Sequence, residues 1–159
     1  MTVLSPMPPA SFAAYREASA SAYAEDNVAS GRWPKEGALE RALQDFDQEL
    51  PQGLATPGNY IYDIKDEVAS VVVGVIWFAM LEKNGLKSAF VYDVEIKPEH
   101  RRKGHASAAF KALESEVRSL GLASIGLHVF GHNPAAQHLY SSLGYGVTGI
   151  NMLKHLPPG

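Results

Sequence analysis

The sequence predicts a mixed α/β fold, and three observations predict it. Runs rich in β-branched and aromatic residues alternate with stretches whose apolar residues recur at helical spacing. Turn-forming residues, Asn84-Gly85 and the Pro51 to Gly58 run among them, separate these stretches. The chain of 159 residues, 46% apolar and 19% charged, has the length and composition of one soluble domain with a real core. The predicted order is β-αα-βββ-α-β-α-ββ, in one domain over residues 1–159, without repeats or low-complexity segments.

Residues 2–7 read as a short edge strand closed by Pro8-Pro9. Phe12, Tyr15, Ser19 and Tyr23 recur at helical spacing, which predicts a helix over residues 10–29, ended by Gly31. Pro34 suits the first turn of a second helix, because its missing N–H would be unpaired there in any case. On that helix Leu39, Ala42, Leu43, Phe46 and Leu50 form an apolar stripe, with Glu40, Arg41, Asp45 and Asp47 facing away. Residues 60–65 and 68–81 read as an antiparallel pair turned at Asp66-Glu67. Gly74 inside the second of these predicts a bulge or a close backbone approach. After the Asn84-Gly85 turn comes a strand over 88–96. A helix over 105–120 follows, burying Ala109, Phe110, Leu113, Val117 and Leu120 and capped by Gly121. A strand over 124–130, a helix over 134–143 stopped by Gly144, and a final hairpin over 145–156 complete the prediction.

Composition excludes several classes. There is no cysteine, so disulfides, zinc–thiolate sites and a cysteine thioester intermediate are ruled out. The formal net charge of −3 offers no broad attraction to nucleic acid, although His100, Arg101, Arg102, Lys103 and His105 cluster. The longest apolar stretch, over 71–80, is half of the roughly 20 residues that a membrane-spanning helix needs. The first nine residues lack a basic region followed by an apolar run, so a cytoplasmic location is the default expectation. Five of the six histidines fall between His100 and His138, but His128 and His132 span a strand and a loop, and no carboxylate completes a ligand triad; no metal is expected.

The chemistry concentrates at two helix starts. Ile96-Lys97-Pro98-Glu99-His100-Arg101-Arg102-Lys103-Gly104-His105-Ala106 joins an apolar strand to an amphipathic helix. The unpaired N–H groups of such a helix start, with the positive end of its dipole, make an anion site. Gly104 and the small Ala106 and Ser107 let a pyrophosphate reach the backbone, and Arg101, Arg102 and Lys103 add positive charge. A dinucleotide site of the Gly-x-Gly-x-x-Gly type does not fit, since this run has a single glycine. The second start is Asn133-Pro134-Ala135-Ala136-Gln137-His138-Leu139-Tyr140, leading to Leu143-Gly144-Tyr145.

Arg101-x-x-Gly104-x-Ala106 between strand and helix, followed about thirty residues later by Asn-x-x-Ala-x-x-Leu-Tyr, resembles the GNAT superfamily of acetyl-CoA-dependent N-acetyltransferases. The motif resemblance covers residues 91–145, and the order of elements is consistent with it over the whole chain. It implies a mostly antiparallel mixed sheet, splayed between the fourth and fifth strands and flanked by about four helices. It also implies acetyl-CoA as co-substrate and direct attack of an amine on the thioester in a ternary complex.

By the same resemblance, the backbones of Val94, Glu95 and Ile96, the turn from Arg101 to Ser107 with His105 giving mainly its N–H, and Asn133, Ala136 and Tyr140 would hold the cofactor. Tyr140 would protonate the departing thiolate, and the Ile96 N–H would face the oxyanion. For the base the residues leave Asp93, Glu95, His128 or bulk water. Asp93 and Glu95 lie two apart on one strand and so share a face, and His128 has the proton affinity for the task. The acceptor would be a small-molecule amine or a protein amino group, drawn by Glu25, Asp26, Asp45, Asp47 and Glu49, with Tyr15, Tyr23 and Trp33 lining its pocket or filling core. Neither a nucleic-acid nor a membrane partner is expected; a homodimer is one option for the assembly. The alternative is a coenzyme A-binding module that senses or assembles without transferring an acyl group.

Overall fold

A computed structural model describes residues 1–159. Strands β1 (Thr2–Pro6), β2 (Asn59–Asp66), β3 (Val71–Lys83), β4 (Leu86–Ile96) and β5 (Ile125–Leu127) form one sheet in sequence order. The first four strands pair antiparallel, and β5 lies parallel to β4. Helices α1 (Phe12–Ala29) and α2 (Ala38–Glu49) cover one face. Helix α3 (His105–Ser119) covers the other, and α4 (Pro134–Ser142) follows β5.

Two apolar layers hold the sheet between its helices. On the α3 face, Ile64, Ile76, Phe78, Ala89 and Val91 meet Ala109, Phe110, Leu113 and Val117. Burying a Phe, Leu or Val side chain is worth roughly 1.5–3 kcal/mol each, so this layer anchors α3. On the opposite face Met7, Ile61 and Trp77 meet Tyr15 of α1 and Phe46 and Leu50 near α2. Ala20 and Ala24 pack against Ala38 and Ala42, and these small residues let α1 and α2 approach closely. Arg16 reaches Asp47 through two 2.8 Å hydrogen bonds across the same pair, but exposed ion pairs add little to what burial supplies.

Two bulges set which side chains face which layer. Val73 is an extra residue opposite Ile64/Lys65, and Tyr92 is an extra residue opposite Trp77/Phe78. An extra residue reverses the in–out phase of a strand. Before Tyr92, Ala89 and Val91 face α3; beyond it, Val94 and Ile96 do. Asp93 and Glu95 are thereby turned to the α1 side. Gly74 pairs with Ile96, and a Cβ built there would overlap the Glu95 carbonyl oxygen and lie 3.1 Å from the Ile96 Cα. The close backbone approach expected of this glycine is therefore present.

Several expectations need correction. No strand forms over 145–156, so the final hairpin is absent. Gly146 and Gly149 weaken that segment as strand, and β5 offers an edge of only three residues. Leu153 and His155 lie against Gly31 instead. Strand β5 stops at Leu127 and not at 130, because β4 and β5 pair only from Ala89/Ile125 to Val91/Leu127. Helix α2 begins at Ala38 after Gly37 (φ +73°), so Pro34 belongs to the connection and Leu39 is exposed. Arg41 is not turned away; its guanidinium sits 5.3 Å from the Trp33 ring centre. Leu120 is also exposed. It is the C-cap of α3, the chain reverses at Gly121 (φ +79°), and Leu122 takes the buried place.

Candidate active site

The turn from Arg101 to Gly104 is unusual in its backbone. Gly104 (φ +82°) and Arg102 (φ +62°) are both left-handed. Holding a non-glycine residue there costs on the order of 1 kcal/mol, strain that persists only where surrounding structure enforces it. The first backbone bond of α3 is Ala108 N–H to Gly104 O, at 3.1 Å. The N–H groups of His105, Ala106 and Ser107 precede it and have no helical acceptor. They open on a cavity of about 210 Å³ between Ile96, the 100–107 turn and Leu139. The His105 ring points into the protein, where its Nδ1 is 3.0 Å from Thr2 Oγ1, so the edge strand β1 braces this turn.

Arg101 departs from its expected use. Its Nε donates to Ile96 O at 2.8 Å and its Nη2 to Glu95 Oε1 at 2.6 Å, so the side chain is committed to β4. That bond exposes the logic of the sheet opening. Lys97 N–H donates to Val73 O at 2.8 Å, so the 97/73 pair is a hydrogen-bonded one. In an antiparallel ladder the neighbouring residue turns its N–H and C=O the other way. Ile96, and Val94 two before it, therefore present their backbone groups toward the β5 side. Since β5 pairs only as far as Val91, the Val94 and Ile96 N–H groups face an opening with no strand in it.

Beside this opening is a cleft of about 540 Å³, walled by α1, α2, β4, the segment after β5, and α4. Asp93 lies deep in it. Its Oδ2 accepts a 2.7 Å bond from the Tyr15 hydroxyl and a 3.3 Å bond from Ser19 Oγ. Burial pushes the carboxyl up to about 6, with Glu95 adding to the rise, while the Tyr15, Ser19 and Val94 donors oppose it. Tyr140 packs edge-on to Phe110 at 5.5 Å and Tyr145 at 5.9 Å. Burial, then the nearby Asp93 charge, raise its phenol above the usual value. Asn133 Oδ1 accepts the Ala136 N–H at 3.1 Å and so caps α4. His128 stands just past β5, exposed, with its ring 4.8 Å from Phe130; burial and the Arg32 charge hold its imidazole below the usual range.

The structure thus brings Asp93, Val94, Glu95, His128, Asn133, Ala136 and Tyr140 to one cleft. It gathers Ile96, Arg101, Arg102, Gly104, His105, Ala106 and Ser107 at the smaller cavity, while Lys103 lines neither. Of the five acidic residues proposed to draw an acceptor, Asp26, Asp45 and Glu49 line the cleft. Asp47 is spent on Arg16. Tyr23 lines the cleft, Trp33 packs edge-on to it at 5.4 Å, and Tyr15 is buried. Sequence reasoning missed the Tyr15 and Ser19 grip on Asp93, the Arg101 bonds and the Thr2–His105 brace. Only the first left a trace, an i, i+4 pair of hydroxyls on the helix face that also carries Phe12.

A strand–turn–helix that presents bare N–H groups, beside a sheet that parts at its fourth strand, defines an acetyltransferase fold. The chain matches the sequence profile of the Acetyltransferase (GNAT) family over residues 18–145 and belongs to that family. It is 35% identical over 157 residues to the uncharacterized N-acetyltransferase YycN of Bacillus subtilis, a match that covers 98% of this chain and 100% of that one. It is 32% identical to the uncharacterized N-acetyltransferase YdgE of the same organism, over 91% of this chain and 92% of that one. The crystal structure of YycN superposes with a TM-score of 0.94 at 34% identity, over 99% of this chain and 100% of that one. The protein is an acyltransferase, and its family uses acetyl-CoA. No helix is long and apolar enough to cross a membrane.

Proposed function

We propose that the protein, acting as one domain over residues 1–159, transfers the acetyl group of acetyl-CoA directly to a primary amine of a small molecule or a protein. The observation that carries this is the continuity of three parts. The anion cavity ends at Ile96, the backbone edge that no strand pairs runs from Ile96 to Val94, and the cleft holding Asp93 begins there. The residues present fit a diphosphate. A Cβ at Gly104 would meet nothing within 4 Å, so the turn has open space above it, and three helix N–H groups face that space. Acetyl-CoA, when bound, supplies an acyl group activated as a thioester.

The chain's own residues then have separable tasks. The Arg101–Ser107 turn binds and orients the cofactor, with Arg102 rather than Arg101 free to add charge. The Ile96 N–H lies where a carbonyl oxygen could bond, and the Val94 N–H beside it also favours the Asp93 carboxylate. Asp93, with a proton affinity near neutral, accepts the proton of the acceptor ammonium. Glu95 is a weaker candidate because Arg101 holds it, and His128 because its imidazole resists protonation. Tyr140 keeps its proton on Oη at neutral pH and can give it to a departing thiolate. The deciding test is coenzyme A release across a panel of primary amines, against an amine-free blank. No release above the blank with any amine would defeat the reading.

Asp93 also makes a prediction for stability. Its carboxyl rises from an ordinary 3.8 to about 6 on folding, so the folded state binds the proton more tightly than the unfolded chain. The stabilising effect of that proton is complete below the unfolded value and is lost as pH climbs through about 6. The loss is on the order of 3 kcal/mol. Chemical denaturation of parent and Asp93→Asn at pH 4 and pH 7 should therefore show the variant gaining on the parent by about 2 kcal/mol at the higher pH, most of that amount. An equal difference at both pH values would mean that Asp93 titrates as an ordinary carboxylate.

A further inference from the structure

Helix α1 contributes to the catalytic carboxylate in a way that neither the family resemblance nor the motifs assign. Tyr15 and Ser19 are one turn apart on α1, and both donate to the same oxygen of Asp93, Oδ2, at 2.7 and 3.3 Å. Neither donates to Oδ1. Tyr15 is held rigidly, since its ring packs edge-on to Phe46 at 6.0 Å inside the α1/α2 layer, so its hydroxyl arrives at Asp93 with little freedom to leave. The cleft that Asp93 lines is also lined by Ser19 but not by Tyr15. Tyr15 therefore grips the carboxylate from the protein side, opposite the cleft.

We propose that Tyr15 and Ser19 are positioning residues of the acetyl transfer: they clamp Asp93 by Oδ2 and so leave Oδ1 facing the acceptor amine as the atom that takes its proton. This rests on the reading of Asp93 as the base. In the step, one N–H bond of the acceptor ammonium breaks, its electron pair stays on nitrogen, and an O–H bond forms at Oδ1. The amine is thereby freed for attack, and the proton leaves to water when the acceptor departs. Clamping one oxygen restricts rotation of the carboxylate and keeps the other lone pairs aimed at the cleft.

The clamp also sets when Asp93 is charged. The groups that act on it are the Tyr15 and Ser19 hydroxyls from α1, Glu95 and the Val94 N–H from β4, and Tyr140 from α4, while Asp26, Arg32, Asp45, Glu49, Tyr92 and His128 line the same cleft. Of these, Tyr15 with Ser19 favours the carboxylate form, whereas Glu95 disfavours it. Removing the Tyr15 hydroxyl therefore makes Asp93 hold its proton to higher pH. Losing one hydrogen bond to a charged group should move that titration up by about one pH unit.

The experiment uses the full chain as parent, Tyr15→Phe, Ser19→Ala and Asp93→Asn. The Asp93 carboxyl resonance is followed by carbon-detected NMR across pH, assigned by its loss in Asp93→Asn, alongside the pH profile of kcat/KM for any amine that the panel accepts. The expected result is an upward shift of about one unit in Tyr15→Phe, a smaller one in Ser19→Ala, and an equal movement of the acid limb of kcat/KM. Phenylalanine keeps the ring contact with Phe46, and Ser19→Ala provides the same test if Tyr15→Phe does not fold. If the carboxyl titration is unmoved in both variants, the clamp is wrong while the base assignment stands. If the titration moves and the acid limb does not, Asp93 is not the base, and the clamp loses its part in the reaction.

Discussion

Tyr140→Phe is expected to lower kcat for coenzyme A release by about 10²-fold, the low end of what a positioned acid contributes. The removed hydroxyl makes no hydrogen bond within the protein, whereas the ring contacts with Phe110 and Tyr145 survive in phenylalanine. Stability and the calorimetric Kd for coenzyme A should therefore stay at parental values, and the loss should fall on kcat alone. The direction of the pH effect follows from the site. Burial and Asp93 both favour the neutral phenol, so the parent keeps its proton beyond the range in which a free tyrosine would begin to lose it. An unchanged kcat in the variant would assign thiolate protonation to water or to another group.

Gly104→Asp is expected to raise the Kd for coenzyme A by roughly 10²- to 10³-fold. Two effects act. A left-handed φ of +82° costs a residue with a side chain about 1 kcal/mol or more, which lowers stability in free and bound forms alike. A carboxylate within about 4 Å of a phosphate adds a repulsion of a few kcal/mol near a surface, which falls on binding. Gly104→Ala separates them, because a methyl there meets nothing within 4 Å and carries no charge. Its Kd should stay near the parental value while its stability falls by about 1 kcal/mol, the backbone term alone. Isothermal titration and chemical denaturation of the two variants against the parent read both. Parental affinity in Gly104→Asp would show that the 100–107 turn does not hold the diphosphate.

The sequence was most informative where local chemistry decides structure. The phase of Leu113, Phe110 and Val117 is that of a helix with one buried face, and Gly121 ends it as a left-handed residue must. Asn84-Gly85 turns the β3–β4 hairpin because both residues take positive φ there. The anion turn was visible for the same reason, since its glycine and basic residues are contiguous. What failed was non-local. Where β5 ends depends on β4 leaving it after Val91, and nothing within residues 124–130 records that departure. A hairpin over 145–156 needs a sheet edge to receive it, and β5 offers one of only three residues. Arg101 stands beside Arg102 and Lys103 in sequence, which suggests a phosphate ligand, but its partners Glu95 and Ile96 lie on the strand before it. The Tyr92 bulge is likewise silent in the sequence, although it decides that Asp93 faces α1 instead of the apolar layer under α3.

Gly74 gives this arrangement an unusual vulnerability. The parting of the strands at Val94 and Ile96 is backed, on the neighbouring strand, by the one amino acid that lacks a first side-chain carbon. Any coding change at this position installs that carbon against the Glu95 peptide. The same displacement would disturb the carboxylate, the main-chain donors and the arginine that ties them together. A mutational scan should consequently find this glycine as intolerant of change as the residues of the cleft itself.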